Sequence, residues 1–472
     1  MKTLFIFRRD LRLADNTGLI AALRDSERVF PCFIFDPRQT GRHPYKSDNA
    51  LQFMTASLRE LDRELRAHGS HLYLFQGKAE KVVSDLIRSE GLDAVSVNRD
   101  YTPFSRRRDR AIEDACRERN AAFASHGDSL LHEPEEVAKA DGSPYTVFTP
   151  FFNASRKLDV RPAQHKPPAN YHVRRLPSEA GEAVYGRVLK TRNDRLFRQG
   201  GRSEALRILR KIDRFRDYEK TRDLPALDGT TGLAAHAKFG TISIREFHRA
   251  VREGLGPGHP LLRQLYWRDF FTHVAVHFER VFGRPFHAEY ERLAWRDDPR
   301  GLRRWQEGTT GFPLVDAGMR QLTATGFMHN RARLVCASFL VKDLHIDWRE
   351  GERYFATKLE DYDPCVNNGN WQWAASTGCD AAPYFRIFNP WLQQKRYDPE
   401  AAYIKRWVPE LAGAAPDLIH RLDRLEGRPP GGYPSPIVDH AVESIRALAL
   451  YRRAKSAGRP AARRAAAGSG RG

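Results

Sequence analysis

Over residues 1–130, short apolar runs alternate with amphipathic stretches. Residues 2–7, 28–35, 71–75, 92–97 and 121–125 read as strands. Between the second and third of them, residues 47–68 place Leu51, Met54, Leu58, Leu61 and Leu65 on one helical face. Repeated β-α units of this length predict an α/β domain with a doubly wound parallel sheet. No G-x-G-x-x-G follows the first strand. It runs instead into Arg8-Arg9-Asp10-Leu11-Arg12-Leu13 and Asp15-Asn16, which disfavours a dinucleotide in the usual Rossmann mode. Residues 131–200 mix helix and loop around a Pro-rich passage at 161–177 and predict a long linker over the surface. From about residue 201 the strand signals stop. Helical patterns follow at 203–216, 243–253, 261–282, 302–307, 313–326, 330–343 and 348–359, with Ser243 and Glu246 spaced as a capping box. The pattern thus divides the chain into 1–130 (α/β), 131–200 (linker), 201–450 (all-helical) and 451–472. That last stretch is rich in Arg, Ala and Gly and is expected to be a disordered basic tail.

Composition narrows the setting. At 472 residues with mean hydropathy −0.60, the chain has room for two or three cores. No apolar run approaches the ~20 residues of a membrane span. Arg8, Arg9 and Asp10 interrupt the first apolar run too early for a signal peptide, so the expected location is cytoplasmic. Five cysteines are scattered without a C-x-x-C pair, which suits free thiols and neither a disulfide frame nor zinc. A formal charge of +19 favours a polyanionic partner such as nucleic acid. All eight Trp lie at or after residue 267, so the two halves differ chemically.

The densest chemistry lies at 361–390, DYDPCVNNGNWQWAASTGCDAAPYFRIFNP. Amides beside indoles suit the edge and face of a flat redox-active ring; a polar loop capping a helix that starts near Trp371 is the plainer alternative. Thr230-Thr231-Gly232-Leu233 precedes a helix, where hydroxyls and free N–H groups form either a phosphate site or an ordinary N-cap. Gln264, Trp267 and Arg268 share one helical face that is not a core face. Asn330 and Arg333 share another face, and Arg333 needs a carboxylate partner on so apolar a helix. No Ser-His-Asp spacing, H-E-x-x-H or Walker loop is present.

Together these residues resemble the photolyase/cryptochrome flavoprotein family, nearest its microbial class I members acting on cyclobutane pyrimidine dimers (CPDs). The carriers are F-R-R-D-L-R-L-x-D-N at 7–16, Y-x-x-x-R-D at 218–223, the loop at 230–240, W-R-D-F at 267–270, G-x-P-x-V-D-A-x-M-R-Q-L at 311–322, M-H-N-R-x-R at 328–333, D-W-R-E-G-E-R-Y-F at 347–355 and N-N-G-N-W-Q-W-A-A-S at 367–376. The resemblance implies FAD in the helical domain, used as FADH⁻. Tyr218 and the Thr230, Thr231, Gly232, Leu233 loop would hold its phosphates. Asn330, Arg333, Asp361, Asp363 and Asn367 would surround the flavin, with Arg333 and Asp361 as an ion pair. Trp371, Trp348 and Trp295 would carry electrons to it from the surface. UV-damaged DNA would be the partner. Trp267 and Trp373 would flank a flipped-out dimer, Gln264 would touch it, and Arg222, Arg268, Arg331 and Arg386 would meet phosphates. The implied reaction is light-driven carbon–carbon bond cleavage by a monomeric enzyme without a metal.

The chain departs from the family pattern at three places. Gln264 stands where CPD photolyases carry a carboxylate, Gly232 and Ala234 replace a usual Arg and Ser, and Asn370 replaces a frequent Gly. Gln264 also fits a cryptochrome-type photoreceptor or a (6-4) photolyase, the two alternative readings. Antenna-binding members further imply a second chromophore near Phe35, Arg42, Asp100 and Lys238, with 8-hydroxy-5-deazaflavin favoured over folate or FMN.

Overall fold

A computed structural model describes residues 1–164 and 169–457. Five strands, β1 (Lys2–Phe7), β2 (Arg28–Phe35), β3 (Tyr73–Gln76), β4 (Ala94–Asn98) and β5 (Ala122–His126), form one parallel sheet in the order β3-β2-β1-β4-β5. Side chains alternate across it. Phe5 and Phe7 of β1 join Phe33 and Phe35 of β2 under the Asp48–Ala67 helix, while Leu4 and Ile6 face the opposite layer with Cys32 and Ile34. Both faces are covered, which is why these strands read as unbroken apolar runs.

β1 and β2 match expectation at both ends; the other three strands begin one or two residues later than their apolar runs. His71 is turned aside to Glu179 (3.2 Å), and the Leu72 N–H is taken by Asp62 (2.8 Å), so pairing starts at Tyr73.

Helices cover the second half, and three predicted helices are shorter than their patterns. Residues 203–216 divide into a helix, Arg202–Leu209, and a 3-10 turn, Ile212–Phe215. The helix expected at 261–282 runs Pro260–His277. The one expected at 330–343 ends at Ser338 and continues as a π turn, Phe339–Asp343, which turns Lys342 and Asp343 fully inside. Among the described residues no helix is long and apolar enough to cross a membrane.

Two domain expectations need correction. The stretch 131–200 does not merely lie over the surface: Leu131, Phe148, Phe151, Tyr171 and Val184 are buried, and the Phe148–Ser155 helix packs against the Pro260–His277 helix. The described part of the tail is not disordered either. The last helix, His440–Ala457, carries Tyr451 into the interior, where its hydroxyl donates to the Ala375 carbonyl (2.5 Å). A buried aromatic with a satisfied hydroxyl outweighs the polar composition around it. Residues 458–472 lie outside the described residues, as do 165–168 of the Pro-rich passage.

The loop after β1 joins the two halves by buried charges. Arg12 and Arg245 both donate to Asp128 (2.7 and 2.8 Å), and Arg245 also reaches Asp15 (3.1 Å). Burial alone would raise the Asp128 carboxyl, but the two guanidinium groups overcome it and hold its pKa below the usual range. A depressed carboxylate pKa stabilises the fold above the unfolded value, about 3.9, and that contribution is lost as pH falls toward the folded value. Asp128→Asn is therefore expected to cost about 3 kcal/mol at neutral pH. Urea titrations should show the gap from wild type narrowing below about pH 4.

Candidate flavin and DNA site

The 361–390 segment forms a helix at Pro364–Ala374. It starts at Pro364, well before Trp371, because Asp363 caps it by accepting from the N–H groups of Cys365 and Val366 and proline takes the first helical position. Asn367, Asn370, Trp371, Trp373 and Ala374 then face one cavity of about 480 Å³. The Pro260–His277 helix supplies Gln264, Trp267 and Arg268 to the same cavity, and the loop before the Ala234–Phe239 helix supplies Thr230, Thr231, Gly232 and Leu233. Tyr218, Asn330, Arg333, Asp361, Asp363 and Lys238 complete the expected residues along its wall. The structure thus brings together positions that span residues 218–373.

Arg333 and Asp361 form the anticipated ion pair (2.9 Å), and the Arg333 Nε donates to the Met328 carbonyl (2.8 Å). The other Asp361 oxygen, Oδ1, is buried without a partner. A buried acceptor left open in a cavity with aromatic walls calls for an N–H from a ligand. An isoalloxazine edge meets that need, so the residues present fit FAD. Asn367 donates its own amide to the Glu352 carbonyl (3.1 Å), which fixes its orientation.

Asp363 is held from across the domain boundary. Arg9, from the loop after β1, makes an ion pair with it and a second with Asp100 (3.2 Å). Burial would raise the Asp363 carboxyl, but the Arg9 and Arg268 charges reverse that and keep it ionised. The first loop of the α/β domain therefore anchors the helix bearing Asn367, Trp371 and Trp373. Sequence reasoning missed this, although the charged run at 8–16 was visible.

Of the electron-relay candidates, Trp371 and Trp348 are buried in one core and Trp295 packs at its edge. Gly351 lets the Trp348–Lys358 helix approach; a Cβ there would collide with the Trp371 ring. Trp305, which sequence reasoning passed over, lies 6.1 Å from Trp371 between ring centroids and donates its indole N–H to the Cys336 carbonyl (3.0 Å).

Toward DNA, Trp267 is stacked on Phe148 with ring centroids 3.6 Å apart and planes 7° from parallel. One indole face is thereby taken by the 131–200 stretch. The Phe148 N–H donates to Asp380 (2.9 Å) in the loop that leads to Arg386. The four arginines differ. Arg386 is exposed, and Arg222 lies over the Tyr218 ring at 5.8 Å. Arg331 is paired with Asp223 (2.8 Å) and lies over Tyr397. Arg268 donates to the Ser129 carbonyl (2.5 Å), so it is part of the cavity wall before it is a phosphate contact.

The four antenna candidates stand in different environments. Phe35 is fully buried, edge-on to Phe33 and Tyr185, and Arg42 is exposed. Asp100 is committed to Arg9, Ser105 and the Tyr101 N–H. Lys238 alone of the four lines the large cavity, its ammonium 3.6 Å from the Phe239 ring centroid. Burial, with the Arg9 charge beside it, lowers Lys238 to about 7. Phe35, which the family resemblance placed near a second chromophore, lies in the sheet core.

An α/β sheet joined to a helical flavin domain defines the class, and comparison with known proteins agrees. A family profile described as DNA photolyase matches residues 3–170, and one described as the FAD binding domain of DNA photolyase matches 261–453. The chain belongs to the photolyase/cryptochrome family. It is 38% identical to a deoxyribodipyrimidine photo-lyase of Escherichia coli, over 95% of this chain and 98% of that one, and 36% identical to one of Agrobacterium fabrum, over 94% and 96%. Among solved structures it is similar to an archaeal photolyase from Sulfolobus tokodaii that holds two FAD molecules (44% identity, TM-score 0.88, 96% of this chain and 100% of that). A cryptochrome from Synechocystis is similar at 29% identity and TM-score 0.88, over 95% and 99% of the two chains.

Proposed function

We propose that this chain is a deoxyribodipyrimidine photo-lyase that binds FAD in the 480 Å³ cavity and splits CPDs in DNA under light. One observation carries the reading: the residues that fit a flavin (Asn330, Arg333, Asp361, Asn367) and those that fit a flipped-out pyrimidine dimer (Gln264, Trp267, Trp373) line a single cavity. When bound, the reduced flavin supplies one photoexcited electron, which returns after the two cyclobutane carbon–carbon bonds have opened. The chain's own residues position and insulate. Arg333 and Asp361 fix the flavin edge. Trp267, backed by Phe148, and Trp373 offer apolar faces to a dimer turned out of the helix. Gln264 offers both a donor and an acceptor to it. Trp371 stands between the cavity and the Trp348 core. Extrahelical binding costs less for a damaged, poorly stacked step, which gives selectivity. The charge of +19 supplies salt-dependent affinity.

We take the enzyme to act as a monomer, since the proposed site draws on residues of one chain. The cryptochrome reading rests on Gln264, where the carboxylate expected of a CPD enzyme is absent. A second, light-harvesting chromophore also belongs to the proposal. 8-Hydroxy-5-deazaflavin and FAD are the candidates, and the amounts of chromophore released per chain separate them: one FAD with one deazaflavin, or two FAD.

Dark binding tests the site. Wild type should hold a CPD oligonucleotide more tightly than the undamaged strand. Trp267→Ala should weaken the CPD complex about thirtyfold, from the usual worth of base–aromatic stacking, with nonspecific binding unchanged. Phe148→Leu should weaken it about fivefold. Equal affinity of wild type for both oligonucleotides would remove the lesion pocket from the account.

A further inference from the structure

Gly232 lies in the phosphate loop with φ +62°, and the space a side chain would need there is already filled. A Cβ on Gly232 would come within 2.5 Å of the Arg198 Nη2 and 2.7 Å of its Nε. The loop therefore has no side chain of its own at this point, and a guanidinium from the end of the 131–200 stretch stands in its place.

Arg198 is built into that position. Its guanidinium lies 4.1 Å from the Phe197 ring centroid, and Phe197 is stacked on Phe327 (3.9 Å, 11°), which lines the cavity. Its Nη2 donates weakly to the Thr231 carbonyl (3.4 Å). Asp228, Glu360 and Glu204 act on this charge only from a distance. Among the described residues no carboxylate lies within 4.0 Å of the Arg198 guanidinium, and Nε is buried with no partner. A half-buried cation with an open donor beside a hydroxyl-lined loop fits an anion brought by a ligand.

We infer that Arg198, packed behind Gly232 and Thr231 of the cavity wall, is the cation of the FAD phosphate site, taking over the charge that the loop itself lacks at Gly232. The inference rests on the reading of the cavity as the FAD site and adds a residue far from the loop in sequence. A guanidinium offers paired donors to a diphosphate, and Thr230, Thr231 and nearby backbone N–H groups complete the set.

The test uses full-length protein freed of flavin, titrated with FAD and with riboflavin, which has no phosphate. Wild type should prefer FAD. Arg198→Met should lower FAD affinity about thirtyfold, the usual worth of a charge-assisted hydrogen bond, and leave riboflavin affinity unchanged. Arg198→Lys, which keeps the charge but not the paired donors, should recover only part of that loss. Arg198→Gln serves the same comparison if the methionine variant does not fold. A wild type that discriminates and a neutral variant that discriminates equally well overturns the role of Arg198 alone. A wild type that binds riboflavin as tightly as FAD overturns the phosphate site, and the role of Arg198 with it.

Discussion

Arg333→Leu is expected to give a folded protein that purifies without flavin. The substitution leaves the Asp361 carboxylate in the cavity wall with neither oxygen satisfied, since Oδ1 has no partner and Oδ2 loses its guanidinium. Breaking a buried pair on one side costs about 4 kcal/mol, roughly a thousandfold in affinity if the penalty falls on the flavin-bound state. The helix itself should survive, because leucine is as good a helix former as arginine. The ratio of flavin to protein absorbance reads the outcome. Asp361→Asn, which keeps an acceptor for Arg333, should retain part of the flavin. Full flavin content in Arg333→Leu would show that the ion pair does not organise the site.

Trp371→Phe should separate two functions that share the cavity. Photoreduction of oxidised flavin needs a donor at its wall, and Trp371 is the buried indole there, in contact with Phe355 (4.9 Å between centroids) and Trp305. Phenylalanine fills most of the same space but is far harder to oxidise, so photoreduction should slow by more than an order of magnitude. CPD repair, which needs only flavin already reduced, should remain near wild type when reduction is done chemically. A merely structural effect would lower both together. If repair disappears in the chemically reduced variant, Trp371 is not a relay residue.

How far the chain could be read depended on how local each feature is. β1 and β2 could be read to the residue because a strand buried on both faces leaves a continuous apolar run. The shared face of Gln264, Trp267 and Arg268 followed from helical spacing, and all three line the cavity. What could not be read was long-range. Arg9 meets Asp363 across the domain boundary, Phe148 backs Trp267 from the supposed linker, and Arg198 occupies the space beside Gly232. Each of these looked polar, linking or incidental in its own neighbourhood. Periodicity says which side chains share a face; it does not say which distant element covers that face. The same limit explains Tyr451, which packing carries inside despite its polar neighbourhood. Gly232 was noticed as a missing charge, but only the fold shows what fills the gap.

The central claim is that one cavity holds both flavin and lesion and that light drives repair between them. The direct measurement takes purified protein with chemically reduced flavin and oligonucleotides bearing either a CPD or a (6-4) photoproduct. Each is kept in the dark or under blue light, and intact pyrimidines are quantified. The account predicts that CPDs are restored under light only and that (6-4) photoproducts persist. Persistence of CPDs under light, with flavin bound and reduced, would contradict it.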